Sequence, residues 1–193
     1  MYKTEGIPTK AELAAYQDIL RSWHSREHFH SYVRMLGRRI PTENLWENPY
    51  KFVREAMTLN TYADLNSEVM ALRLGNDPPD GWLRLSSGVE IPVELTEALE
   101  PGRKRNDEYK GRAAPEAVEY DPKTRIQTIE KQLDNAIKNK VEKYSPRPAL
   151  IVYLNMGAYS RPRHEVEAAI ARRKANYRSK FNGLHVLWQG QAY

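Results

Sequence analysis

The sequence predicts an α/β domain built on a mixed sheet, with a helical segment on its N-terminal side. Three observations predict it. Apolar residues recur at helical spacing over residues 10–38 and again over 124–144. After the turn Asn76-Asp77-Pro78-Pro79-Asp80-Gly81 the pattern alternates, as in half-buried strands. Leu150-Ile151-Val152-Tyr153-Leu154 is a continuous apolar run, as expected of a strand covered on both faces.

Each element follows from local pattern. Leu13, Tyr16, Ile19, Leu20 and Trp23, then Phe29, Tyr32, Val33 and Leu36, predict one helix over 10–38 ended by Gly37. A short helix is expected over 49–59, and Asn60 or Thr61 is placed to cap another over 62–74, ended by Gly75. Trp82, Leu83 and Leu85 face Val89, Ile91, Val93 and Leu95 across Ser86-Ser87-Gly88, which reads as a hairpin. Pro92 inside the second of these strands implies an edge position or a bulge. Residues 99–123 read as a long loop. Ile126, Ile129, Leu133, Ala136, Ile137, Val141 and Tyr144 mark an amphipathic helix over 124–144, ended at Ser145-Pro146. A further helix is expected over 162–178 and a last strand over 184–188. The domain boundary falls at residue 60: a helical extension over 1–60 and the α/β core over 61–193.

Composition narrows the chemistry. The chain has 193 residues, no cysteine, 12 Pro and 10 Gly. One globular domain with attachments is expected. Disulfides, thiolate metal sites and cysteine nucleophiles are excluded, so a metal would need oxygen or imidazole ligands. No apolar stretch approaches the ~18 residues of a membrane span, and residues 1–10 lack a signal-peptide core. A soluble, cytoplasmic protein without membrane contact is expected.

Net charge is +5, unevenly spread. Residues 1–60 hold 9 Lys/Arg against 7 Asp/Glu, residues 61–100 hold 2 against 8, and residues 101–193 hold 19 against 10. A compact acidic stretch inside a basic chain suits an enzyme that binds a divalent cation and acts on a polyanion. Segregated solvated charge would give the same totals.

Within that acidic stretch, strand alternation puts Glu90, Pro92, Glu94 and Thr96 on one face. The hairpin can carry Asp80 beside Glu94, where the two could share one cation. Glu68 on a helix, Pro79-Asp80 at a strand start, Glu94-Leu95-Thr96 on the next strand and a basic helix afterwards together resemble the PD-(D/E)xK nuclease superfamily. The resemblance covers about residues 61–155 and implies a restriction-endonuclease-like core: a helix, a strand hairpin, a helix and a further strand. It implies that Glu68 is the acid of the first core helix, Asp80 the aspartate of the Pro-Asp element and Glu94 the acid of the Glu-x-Lys element. The Leu95 carbonyl would be an additional ligand, and Mg²⁺ or Mn²⁺ the metal. The activity implied is phosphodiester hydrolysis, on DNA in preference to RNA.

One residue departs from the pattern: Thr96 stands where the resemblance calls for lysine. A replacement would come from the helix over 124–144. At about 100° per residue from Ile126, Lys140 falls at roughly 320°, inside the apolar stripe, while Lys131 and Lys138 fall outside it. An ammonium on that stripe needs a partner, and a carboxylate cluster would be one. Arg103, Lys104, Arg105, Lys110 and Arg112 follow the proposed catalytic strand and are placed to contact phosphates.

Plainer accounts exist for each residue. Glu68 could face solvent, Asp-Gly after proline is a common turn, Lys140 could snorkel to water, and the basic runs, including Arg172-Arg173-Lys174, could simply be solvated. His24 and His28 have metal-pair spacing, but Ser25 stands where the zincin pattern needs Glu. Glycine-rich phosphate loops and nucleophile elbows are lacking. A catalytically inactive nucleic-acid-binding module on the same fold, or an interaction protein with a basic face, are the rival readings. Either nuclease or module is compatible with a homodimer.

Overall fold

A computed structural model of the chain describes residues 6–42, 44–76, 78–103, 121–141 and 147–193. Among these residues it has five α-helices and seven strands, and the strands form one mixed sheet ordered as in the chain. The α/β class expected from pattern is therefore observed. The described residues fall into two compact units, one ending at Pro92 and the other beginning at Val93. No helix among the described residues is long and apolar enough to cross a membrane.

The first unit opens with α1 (Lys10–Leu20), whose N-terminus carries a capping box: Glu12 N donates to the Thr9 hydroxyl, and Thr9 N donates to the Glu12 carboxylate. The single helix expected over 10–38 is in fact two. Arg21 closes α1, β1 (His24–Ser25) pairs antiparallel with Leu72 and Ala71, and α2 (Arg26–Arg39) then starts on Ser25, whose hydroxyl accepts from His28 N at 3.3 Å. Serine at that N-cap favours a fresh helix start over continuation of the first.

A 3₁₀ turn, Asn48–Tyr50, leads into α3 (Lys51–Leu65). This one helix replaces the two expected over 49–59 and 62–74. Thr61 caps nothing; it lies inside α3 with its hydroxyl donating to Met57 O at 2.9 Å. Residues 69–74 are strand β2 (Val69–Leu74), paired antiparallel with β3 (Gly81–Leu85). The reason for the misreading is a register shift between Val69 and Ala71. A bulge puts an extra residue in one strand, so Val69 and Leu72 both reach the core although they stand three apart, which imitates a helical period. Val69, Leu72, Leu74 and Leu83 are buried with Phe52, Val53, Ala56, Leu59 and Ala63 of α3.

The β2–β3 connection positions Asp80. Gly75 N donates to Asp80 O at 2.9 Å, and a Cβ at residue 75 would lie 1.7 Å from the Pro79 carbonyl oxygen. Only glycine permits that approach. The Ser86-Ser87-Gly88 turn is closed by Leu85 N donating to Val89 O at 2.9 Å, with Gly88 at φ 82°.

The second unit is a pair of parallel crossovers. Strand β4 (Glu90–Leu99) pairs parallel with β5 (Ala149–Asn155) from Val93↔Ala149 onward, and β5 pairs parallel with β6 (Gly183–Trp188). Pro92 stands one residue before the β4–β5 ladder, so its missing N–H costs no bond on that side. A short β7 (Gln191–Ala192) turns back antiparallel on β6. The β4–β5 connection carries α4 (Pro122–Val141), capped by Asp121, whose carboxylate accepts from Lys123 N at 2.9 Å, with proline in the first helical position. The β5–β6 connection carries α5 (Arg163–Tyr177).

Ile129, Leu133 and Ile137 of α4, Leu150 and Val152 of β5, and Val166 and Ile170 of α5 form one buried cluster. Trp188 lies within it and satisfies its indole N–H on Met156 O at 3.0 Å. Arg172 and Arg173 on α5 pair with Glu130 and Asp134 of α4, so part of that basic run joins two helices.

Candidate functional site

The sequence-derived residues fall into both units. In the second, Glu94 sits in β4 with its side chain 1% exposed, and the Lys140 ammonium approaches from the last turn of α4 to 2.8 Å from Glu94 Oε2. Lys140 thus occupies the buried face to which helical periodicity assigns it. Glu94 Oε1 is buried and, among the described residues, has no hydrogen-bond partner. A carboxylate oxygen in that state is expensive, because burial removes its water without replacing it. A ligand that brings positive charge or a donor would satisfy it.

Leu95 and Thr96 follow on β4, opposite Ile151 and Val152 of β5. Both are half-buried. The threonine leaves Lys140 as the ammonium on Glu94.

In the first unit, Asp80 is 6% exposed and lines a cleft of about 370 Å³. Its polar walls are Gln17 and Arg21 of α1, Asn48 of the 3₁₀ turn, and Lys51 and Glu55 at the start of α3. Lys51 Nζ and Glu55 Oε1 pair at 3.1 Å. Arg21 bonds to Asp18 at 3.3 Å through Nη1, while its Nε is buried without a partner.

Glu68 requires a correction. It lies on no helix but in the exposed turn between α3 and β2, where its Oε2 accepts from the Ser86 hydroxyl at 2.8 Å. Val69 begins a strand, which fixes its neighbour at the strand's mouth. The helical acid that shares a cleft with Asp80 is Glu55. It borders the stripe Phe52, Ala56, Leu59, and that spacing is the signal that could have found it. Arg103 is half-buried; Lys104, Arg105, Lys110 and Arg112 lie outside the described residues.

Sequence reasoning also missed the most buried ion pair among the described residues. Arg125 of α4, 0% exposed, binds both oxygens of Glu100 at 2.7 and 2.5 Å and donates to Gly157 O, with Tyr159 stacked 4.4 Å away. The spacing Arg125, Ile129, Leu133 would have marked it, since residues four apart share a helix face.

Could these residues hold a metal? Among the described residues no three His, Asp or Glu side chains gather into a ready cage. Mg²⁺ does not need one: it is commonly held by one or two carboxylates and keeps several waters. The oxygen-only donor set and the unpartnered Glu94 Oε1 fit a hard divalent cation.

No family model matches the chain, and no curated protein or solved structure does either.

Proposed function

We propose that the protein is a metal-dependent phosphodiester hydrolase acting on nucleic acid, DNA in preference to RNA, on a restriction-endonuclease-like core. The observation that carries this reading is the buried Glu94 carboxylate with one oxygen on Lys140 and the other unpartnered. A lysine has reached the acid whose own motif position, Thr96, cannot supply one. The order α3, the β3–β4 hairpin, α4, β5 supports the same reading, with β2 as an added strand ahead of the hairpin, as does Asp80 at the start of a strand.

In this proposal Glu94 and the Leu95 carbonyl would hold Mg²⁺ or Mn²⁺ within the second unit, while Asp80, and Glu55 in the helical role first given to Glu68, are the acids that the first unit offers. When bound, such an ion supplies charge neutralisation at the phosphate and acidifies water. Lys140 orients the attacking water and stabilises the charge that builds on the phosphate as the P–O bond breaks. Its contact with Glu94 at 2.8 Å fixes that ammonium, so little reorganisation is needed.

The test is plasmid nicking with Mn²⁺. Wild type nicks; Glu94→Gln, and the double variant Glu94→Gln/Lys140→Met that strands no buried carboxylate, lose activity by roughly 10²-fold or more, with melting behaviour retained. Nicking by Glu94→Gln at the wild-type rate would end the proposal. The lack of a ready three-residue cage among the described residues favours the rival reading, a catalytically inactive binding module. That module would bind nucleic acid equally well in chelator and in Mn²⁺, and would not cut it.

A further inference from the structure

We infer that the N-terminal helical segment is part of the substrate site: the α1–α3 cleft seats a backbone phosphate of a nucleic-acid strand, held by Arg21 and Lys51. The inference rests on the hydrolase reading for its substrate class, and on three observations within one unit for its place. The cleft, about 370 Å³, lies at the lower end of ligand-pocket volumes, which suits a phosphate with its sugar and excludes a duplex. Two cations line it from different elements, Arg21 from the end of α1 and Lys51 from the start of α3. Arg21 also carries a buried Nε–H with no partner among the described residues, so this guanidinium is only partly satisfied by its bond to Asp18.

Chemistry selects the occupant. A guanidinium donates in a fixed fork that matches phosphate oxygens, and an ammonium adds a point charge. Gln17 and Asn48 supply neutral amide groups at the same walls, and Pro49 and Leu74 offer an apolar side for a sugar. Asp80 lines the same cleft, so a phosphate held there lies beside one of the proposed catalytic acids. Glu55 and Asp80 oppose a free anion, which favours a strand anchored at several phosphates over inorganic phosphate.

The experiment measures fluorescence anisotropy of a short labelled DNA oligonucleotide with the full chain, in chelator and in Ca²⁺, across a salt series. Arg21→Gln and Lys51→Gln should each weaken binding about 5- to 10-fold, and the double variant should reduce the salt slope by about 1, as for the loss of one phosphate contact. Lys10→Gln, an exposed lysine at the far end of α1, should leave both unchanged. Both substituted side chains reach solvent, so folding is checked by thermal melting, and Arg21→Glu gives a second variant of opposite charge.

Wild-type affinity and slope in the double variant would overturn the inference. So would displacement of the oligonucleotide by polyglutamate at equal charge, or by inorganic phosphate at equal concentration. The two readings separate cleanly. If wild type never nicks plasmid but its binding depends on Arg21 and Lys51, the subsite stands and the hydrolase falls. If wild type nicks and the double variant binds unchanged, the subsite falls alone.

Discussion

Two buried glutamates of the second unit make opposite arrangements with the same helix. Glu100 meets Arg125 near the start of α4 through both oxygens, and the guanidinium goes on to the Gly157 carbonyl. Glu94 meets Lys140 near the end of α4 through one oxygen and keeps the other bare. The first pair is fully satisfied and enclosed, which is the condition under which a buried ion pair holds a structure together. The second is half-satisfied, and half-satisfied buried networks cost stability that a fold retains for another purpose. One α4 end is therefore structural, and the other is where chemistry is proposed.

The largest effect separates them by stability. Arg125→Met strands the Glu100 carboxylate in the interior and should cost about 3–5 kcal/mol, read by urea unfolding. The double variant Arg125→Met/Glu100→Leu should recover most of it. If the single variant costs under about 1 kcal/mol, the structural role assigned to this end fails.

Acid sensitivity belongs to a third group of the second unit. Burial, and then the charge of Lys174, push His185 down to about 4 from its ordinary 6.5. The unfolded chain binds the proton first, so the stability held by neutral His185 is complete above pH 6.5 and is lost as pH falls through that window to about 4. This is worth about 3 kcal/mol. His185→Gln should flatten stability between pH 6.5 and 4. An unchanged pH profile in that variant would show that folding does not lower the His185 pKa.

Glu94→Gln should move stability by less than about 1 kcal/mol, because Lys140, 18% exposed, keeps access to water. Glu100→Gln should cost more than that. The reverse order would erase the distinction between the two ends. The smallest effect concerns Glu68. Its exposed contact with Ser86 is worth under about 0.5 kcal/mol, and Glu68→Ala should leave nicking intact. Loss of nicking comparable to Glu94→Gln would restore Glu68 to the site in place of Glu55.

Legibility followed periodicity. The α4 stripe, the apolar run of β5 and the β3–β4 hairpin were readable because each repeats its burial pattern within one element. Lys140 was readable for the same reason, since its angle on α4 fixes its face before any partner is known. Residues 69–74 were not readable, because a bulge broke the strand period into a helical one. Arg21 to Ser25 failed likewise: the helical stripe continues through a break whose cause is pairing between His24 and Leu72, far apart in the chain.

The sequence alone determined the α/β class, the absence of thiol chemistry and the buried face of α4, since each follows from composition or from a local repeat. Tertiary structure alone decided which acids are enclosed and by what: Glu94 against Lys140, Glu100 against Arg125, Asp80 in a cleft with α1 and α3. Those outcomes depend on strand register and on contacts between distant segments, and the free energy of enclosing a charge is set by the partner that arrives, not by the residue that waits.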